Sequence, residues 1–117
     1  IECVATVEAL RARLNLSNDE LLVTFQSVFG HAEWLGPATI DTVENLARQG
    51  SGRLDVICPG FMADCLETVD EIAQLNRETF LEAGGSEFNY IPWGNASRGA
   101  VETLEALARR GLAGWVD

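Results

Sequence analysis

Residues 53–71 read RLDVICPGFMADCLETVDE, and this stretch decides the fold. The apolar run at 54–58 predicts a buried strand, and the Pro-Gly pair after it predicts a turn into a helix. Asp64, Glu67 and Glu71 are spaced at i, i+3 and i+7, so an ordinary α-helix places all three carboxylates on one face. Open α/β sheets bind ligands at the carboxyl ends of their strands, so the stretch predicts an acidic ligand site there.

Helices and strands alternate through the rest of the chain. Apolar residues recur at helical spacing in four segments, and short continuous apolar runs are typical of buried strands. The predicted elements are helices near residues 3–14, from Thr39 to Gly50, from Asp64 to Ala83 and from Ser97 to Gly111, and strands at 21–25, 53–58 and 88–91. Thr39 and Ser97 are the expected N-caps of their helices. Strands joined through helices predict an α/β fold in three α/β/α layers with a short parallel sheet.

The predicted sheet has few strands for this class of fold. Three parallel strands are few for a sheet that is buried on both faces, and the opening helix has no strand before it. We therefore expect at least one further strand on the N-terminal side. The chain also begins with Ile1 rather than Met, which indicates a piece of a longer protein.

Composition limits the classes of partner. The chain has 117 residues and a net charge of −10, with no lysine. A surface this acidic disfavours nucleic acid and anionic lipid, although a solubility charge explains most of the acids. No apolar run approaches the roughly 20 residues of a membrane span, and no secretory signal is visible.

Cysteine usage points to a reduced compartment. Cys3, Cys58 and Cys65 make an odd number in a chain without a visible secretory signal, which favours a cytosolic setting. They show no C-x-x-C spacing, so the segment predicts neither a zinc ribbon nor an iron–sulfur cluster.

The predicted acidic face has two interpretations. Acids favour the first turn of a helix because of the macrodipole, and this accounts for Asp64, and less fully for Glu67, as solvated residues. It does not explain Glu71, nearly two turns further on, which favours a site. A surface acid of this kind has a low pKa, whereas a carboxylate in an apolar pocket has a raised pKa.

The loop from Ser27 to Pro37 is a second candidate. Phe29 and Trp34 could line a flat hydrophobic pocket at the ligand end of the sheet, or could cover the sheet edge as core. His31 lies in the same loop without a nucleophile motif nearby, so we expect it to be exposed rather than catalytic.

Several segments together resemble the C-terminal part of ferrochelatase, the enzyme that inserts ferrous iron into a porphyrin to make haem. The matching segments are 24–30, 33–37, 59–61 with 63–68, 80–85 and 90–92, and the ending 112–115 is similar to that of proteobacterial members. The resemblance implies a doubly wound chelatase-type domain, one of two similar halves with the porphyrin cleft between them. It also implies that residues 1–117 are an incomplete C-terminal half, which begins after a strand that carries the family's catalytic histidine in a Ser-x-His-x-x-Pro-like motif.

The resemblance assigns roles to residues at matching positions. Glu67 matches the acid implicated in proton removal or metal handling, and Glu71 matches an acid that helps guide metal or protons. The remaining assignments are substrate binding for Gln26, Ser27, Trp34 and Phe61, and structural support for Pro59, Gly60 and Asp64. Val28, Leu75 and the pair Trp93-Gly94 depart from the family's usual residues.

The implied parent protein is a lyase of haem biosynthesis in the cytoplasm, with ferrous iron and protoporphyrin IX as substrates and no tightly bound cofactor. Its partners are the porphyrin, the iron and the missing N-terminal half, with no nucleic acid; peripheral membrane association stays open. An aromatic wall beside Glu67 is expected to raise the pKa of that carboxyl. The alternatives are a chelatase for coproporphyrin or another metal, and a non-catalytic α/β interaction domain with Glu67 and Glu71 exposed and Trp34 buried in its own core.

Overall fold

The structure is a computed structural model that describes residues 2–28 and 30–115. Along the chain these residues form α1 (Glu2–Leu14), α2 (Thr39–Arg48), β1 (Arg53–Val56), a π-helix (Glu67–Asn76) that continues directly into α3 (Arg77–Glu82), β2 (Glu87–Tyr90) and α4 (Arg98–Gly111). The alternation of helices and strands confirms the predicted α/β class.

The sheet contains two parallel strands. β1 and β2 pair from Arg53 opposite Glu87 to Val56 opposite Tyr90. The polypeptide crosses from one strand to the next through the π-helix and α3, because parallel neighbours need a long connection. This pairing agrees with the parallel arrangement predicted from the sequence.

The predicted strand at 21–25 is wrong within the described residues. Phe25 alone forms a bridge, in which its N–H donates to the carbonyl of Pro37 and its carbonyl accepts from the N–H of Thr39, both at 2.9 Å. The segment is separated from β1 by cavities that both segments line. An extended, apolar segment forms a strand only where a neighbour offers matching backbone groups, and here β1 is too far away to do so.

The core lies between α2, α3 and the sheet. Val43 and Ala47 of α2 pack against Phe80 of α3, which is fully buried. The ring centroids of Phe80 and Phe88 lie 6.0 Å apart in a tilted arrangement. Burial of a side chain the size of Phe80 contributes about 1.5–3 kcal/mol to folding, so this contact fixes α3 against β2.

The acid-bearing helix differs from the predicted α-helix. It begins at Glu67, so Asp64 precedes it, and its first ten residues are wound as a π-helix. At the junction with α3 the buried Asn76 donates through Nδ2 to the carbonyl of Glu71, five residues back, at 2.7 Å. π-Helical turns are rare in proteins, and those that occur are often found at functional sites. The predicted single face of three acids is therefore wrong.

The caps and the outer helices agree with the sequence only in part. Ser97 caps α4, since its hydroxyl accepts from the N–H of Ala100 at 3.3 Å. Thr39 is instead the first residue of α2, and its hydroxyl donates to the hydroxyl of Thr24 at 2.9 Å. Among the helices of the described residues, none is both long enough and apolar enough to cross a bilayer.

Candidate active site

One cavity brings together six of the seven residues that were assigned to substrate binding and to its structural support; Asp64 is the exception. It lies where segment 21–25 and β1 end, and its volume is about 510 Å³, within the range of small-molecule sites. The predicted residues in its lining are Gln26, Ser27, Trp34, Pro59, Gly60 and Phe61. The full lining is mainly apolar and aromatic, and its polar residues are Glu2, Thr6, Thr24, Gln26, Ser27 and Thr39, a mixture that is typical of a ligand pocket.

Gln26 connects the cavity wall to the π-helix. Its Nε2 donates to the carbonyl of Glu67 at 2.6 Å, and its Oε1 accepts from the thiol of Cys58 at 3.2 Å. Its backbone carbonyl accepts from Nε1 of Trp34 at 3.1 Å. Gln26 therefore fixes the position of an aromatic ring and of the first turn of the acidic helix at the same time.

Glu71 lies against the polar end of this wall. Its Oε1 accepts from the N–H of Ser27 at 2.7 Å and its Oε2 accepts from the hydroxyl of Ser27 at 2.6 Å. Ser27 has a φ of +60°, which a serine adopts only where its surroundings hold it. Both oxygens of the Glu71 carboxylate are engaged, so in this geometry the residue positions the loop.

Glu67 is exposed at the first turn of the π-helix. The Cys65 thiol, which donates to its carboxylate, and then its own backbone N–H hold the pKa of Glu67 below the ordinary value of 4.5. The expected rise in pKa is therefore wrong, because these two donors stabilise the charged form more than desolvation of the carboxylate destabilises it. The carboxylate is ionised at neutral pH and is free to attract a cation.

Asp64 lies outside the cavity and joins three segments. Its Oδ1 accepts from the hydroxyl of Tyr90 at 2.7 Å, and its Oδ2 accepts from Nδ2 of Asn95 at 2.9 Å. The hydroxyl of Thr68 donates to the same carboxylate at 3.2 Å. The bond from Tyr90, then those from Asn95 and Thr68, lower the pKa of Asp64. The carboxylate thus ties the start of the π-helix to the end of β2.

Several residues that support the site had no assignment from the sequence. Trp93 donates through Nε1 to the carbonyl of Cys58 at 2.7 Å. Gly94 has a φ of +71°, and a Cβ there would lie 2.1 Å from the carbonyl oxygen of Met62, so only glycine fits this approach. The Trp93-Gly94 pair was noted in the sequence as a departure, and these contacts give it a structural role.

Phe29, His31 and Trp34 belong to the loop from Ser27 to Pro37. Phe29 lies outside the described residues. His31 is exposed, as expected. Trp34 is 43% exposed and Glu71 is half-buried, which disfavours the interaction-domain alternative, whereas the exposure of Glu67 agrees with that alternative. Within residues 2–28 and 30–115, no three side chains of His, Cys, Asp or Glu are grouped to hold a metal ion, so metal binding by Glu67 and Glu71 stays a prediction.

Comparison with known proteins identifies the family. The family model described as Ferrochelatase matches residues 1–112. The chain is 54% identical over 115 residues to a ferrochelatase of Rhodopseudomonas palustris (strain ATCC BAA-98 / CGA009), covering 98% of this chain and 33% of that protein. It is 52% identical over 114 residues to a ferrochelatase of Bordetella pertussis, covering 97% of this chain and 32% of that protein. No solved structure is significantly similar. The chain spans about a third of the length of these relatives, and it belongs to the ferrochelatase family.

Proposed function

We propose that this chain forms one wall of the active site of a ferrochelatase, a lyase that inserts ferrous iron into protoporphyrin IX to give protohaem. The observation that carries the proposal is the cavity of about 510 Å³, with Trp34 and Phe61 in its lining, beside a helix that begins with Glu67. The curated relatives that match the chain bear the name ferrochelatase, and the residues described here suit that reaction.

The wall of the cavity suits a flat macrocycle. The indole of Trp34 is held by its bond to the carbonyl of Gln26 at 3.1 Å, so its ring is positioned before a ligand arrives. Aromatic rings offer large flat surfaces that stack on conjugated ligands. In the proposed complex Trp34 and Phe61 contact the porphyrin, and the polar groups of Gln26 and Ser27 orient it.

Metal insertion exchanges one ferrous ion for the two protons of the pyrrole nitrogens. Carboxylates bind a hydrated dication less tightly than thiolates do, which suits an ion in transit. Glu67 is ionised and exposed, so it attracts the iron and accepts the two pyrrole protons one after the other, and its lowered pKa favours the release of each proton to water. The carboxylate of Glu71 is held by two hydrogen bonds from Ser27, so a second acid lies one turn further along the helix.

A chimera tests this function. The third of the Rhodopseudomonas palustris relative that matches this chain is replaced by residues 1–117, and haem formation from ferrous iron and protoporphyrin IX is measured without oxygen. We expect the chimera to be active and the isolated chain to equal the no-enzyme control, because the chain supplies one wall only. Haem formation by the isolated chain above that control would contradict the proposal that the segment is inactive alone.

Glu67 is tested in the same chimera. Glu67→Gln keeps the size of the side chain and removes its charge, so we expect the rate of metal insertion to fall by about a hundredfold or more. Glu78→Gln is the matched control, because Glu78 is an exposed acid of α3, and its rate should stay unchanged. A Glu67→Gln chimera with full activity would remove Glu67 from the reaction. The chimera is also assayed with coproporphyrin in place of protoporphyrin IX and with zinc in place of iron. These assays distinguish the proposed reaction from that of a related chelatase.

The setting of the enzyme is part of the proposal. The thiols of Cys3, Cys58 and Cys65 are free, and a reduced, cytoplasmic compartment keeps them so. The net charge of −10 supports the view that nucleic acid is not a partner.

A further inference from the structure

Cys58 joins the aromatic residues of the candidate active site to one another. It is buried, two residues after the end of β1. Its thiol donates to Oε1 of Gln26 at 3.2 Å, and its carbonyl accepts from the N–H of Phe61 at 3.1 Å. Gln26 in turn holds the indole of Trp34. The position of Cys58 therefore determines where these three cavity residues lie.

A further side chain holds Cys58 from outside the cavity. Nε1 of Trp93 donates to the carbonyl of Cys58 at 2.7 Å. The indole of Trp93 is half-buried and lines a separate surface cavity with Met62, Pro92 and Ala100. Trp93 is not among the described residues that line the active-site cavity. It therefore does not contact a ligand there, and its influence on such a ligand passes through Cys58.

The loop that carries Trp93 is fastened on both sides of this contact. Before it, the N–H of Ile91 donates to the carbonyl of Val56 at 2.8 Å. After it, the N–H of Asn95 donates to the carbonyl of Met62, also at 2.8 Å. A fully bonded network of this kind is rigid, so the indole N–H is a donor at a fixed position, and the carbonyl that accepts from it is fixed as well.

The bond from Trp93 affects the position of Cys58 more than the stability of the fold. A carbonyl oxygen has two lone pairs, and the Cys58 carbonyl keeps its bond from Phe61 when the indole N–H is removed. No buried acceptor is then left unpaired, which is the costly case. The loss is one of direction, since a peptide group held by one donor can tilt and carry its thiol away from Gln26. Small displacements in supporting residues are enough to loosen a binding site.

We propose that Trp93 is a positioning residue of the metal-insertion reaction, which holds Cys58 and through it the aromatic wall of the cavity. This inference rests on the proposed function, because it assigns the porphyrin to that cavity. The wall contacts the macrocycle before and during the reaction, so a looser wall weakens binding of the substrate and of the transition state equally. Such a change raises KM and leaves kcat unaltered. A residue that only stabilises the fold differs, because its loss lowers the amount of folded enzyme and hence the apparent kcat.

Trp93→Phe in the Rhodopseudomonas palustris chimera tests the proposal. Phenylalanine keeps an aromatic ring in the surface cavity and removes the indole N–H. We expect KM for protoporphyrin IX to rise about fivefold or more, while kcat and KM for ferrous iron stay within about twofold. Trp115→Phe is the matched control, because Trp115 is 88% exposed, and all three constants should stay within about twofold.

A double variant tests the route through Cys58. Cys58→Ala removes the thiol that donates to Gln26. Residues of one hydrogen-bond network have effects that do not simply combine, whereas independent residues do. In the Cys58→Ala chimera we therefore expect Trp93→Phe to raise KM for the porphyrin by no more than about twofold. A further rise as large as that caused by Trp93→Phe alone would show that the two residues act independently, and would overturn the proposed route.

Binding of the porphyrin without iron provides a readout that does not depend on turnover. The shift of the porphyrin's absorption band gives Kd, which should be about fivefold or more higher for Trp93→Phe than for Trp115→Phe. Unchanged KM and Kd, or a fall in kcat alone, would overturn the inference and leave the proposed function standing. A chimera that binds the porphyrin and makes no haem would refute the proposed function instead, and the Kd values would then decide the role of Trp93. A chimera that binds no porphyrin would overturn both.

Discussion

Ser27 donates both its backbone N–H and its hydroxyl to the carboxylate of Glu71, at 2.7 and 2.6 Å. The two residues are 44 positions apart in the sequence, so the contact joins the end of segment 21–25 to the middle of the π-helix. Donors that approach an ionised carboxylate form strong hydrogen bonds. The pair therefore explains how a serine is held at a φ of +60° at the rim of the cavity.

Ser27→Ala removes the hydroxyl bond and leaves the backbone bond in place. A hydrogen bond to a charged group contributes about 1.5–3 kcal/mol, and because the pair is half-buried we expect unfolding in urea to report a loss of about 1–2 kcal/mol. Ser86→Ala is the control, since Ser86 is exposed, and its change should stay within about 0.5 kcal/mol. A loss for Ser27→Ala no larger than that of the control would show that the hydroxyl bond does not stabilise the fold.

The Asp64 carboxylate predicts an acid-sensitive step in stability. Its pKa is lowered from the ordinary value of 3.8, first by the hydroxyl of Tyr90 and then by Asn95 and Thr68. A carboxyl with a lowered folded-state pKa stabilises the protein above its unfolded pKa, and this stabilisation is lost as the pH falls through the folded pKa. Melting temperature should therefore fall with pH below about 4.

Asp64→Asn cannot change its charge, so its melting temperature should depend less on pH in this range. Tyr90→Phe removes the largest cause of the shift and should give an intermediate slope. Equal slopes for the unmodified chain and Asp64→Asn would mean that other groups control acid unfolding.

The sequence predicts local features of this fold well. The helix expected near 3–14 forms over Glu2–Leu14, and β1 and β2 form where short apolar runs predict them. These elements are determined by residues close together in the sequence, through the periodicity of their apolar side chains and their propensities for helix or strand. Segment 21–25 has the same signal and forms a single bridge, because pairing also needs a neighbour in space. No sequence pattern distinguishes the π-helix from an α-helix, since the two differ in which carbonyl each N–H reaches.

Several residues assigned to the candidate site lie together in the structure, whereas the hydrogen bonds that join them were not predicted, and the roles assigned to these residues stay predictions. Six residues assigned to substrate binding or its support line one cavity, because the ends of neighbouring segments meet at one edge of the fold. The bond from Tyr90 to Asp64 spans 26 positions, and no spacing rule relates residues that far apart. The pKa of Glu67 was predicted with the wrong sign, because its exposure depends on the orientation of the helix.

Asn76 tests the junction between the π-helix and α3. The side chain is fully buried, and its Oδ1 has no hydrogen-bond partner among the described residues. Asn76→Asp replaces the Nδ2 donor to the carbonyl of Glu71 by a buried acid, so we expect a loss of about 3 kcal/mol or more in the free energy of unfolding. Asn18→Asp makes the same change on an exposed turn and should cost less than about 0.5 kcal/mol. Similar effects in urea at the two positions would contradict the buried placement.

The Cys58 thiol should resist alkylation in the folded chain. Burial, followed by the charges of Cys65, Glu71 and Asp64, raises its pKa from 9.0 to about 11. Since the thiolate is the nucleophile, two pKa units lower its reactive fraction about a hundredfold. With iodoacetamide at pH 8, mass spectrometry should show that Cys58 is labelled at least about a hundredfold more slowly in the folded chain than in 8 M urea. Cys3 is exposed and serves as the control, with similar rates in both conditions. Rapid labelling of Cys58 in the folded chain would show that the thiol is open to solvent, and the hydrogen bond to Gln26 that supports the cavity wall would then be in error.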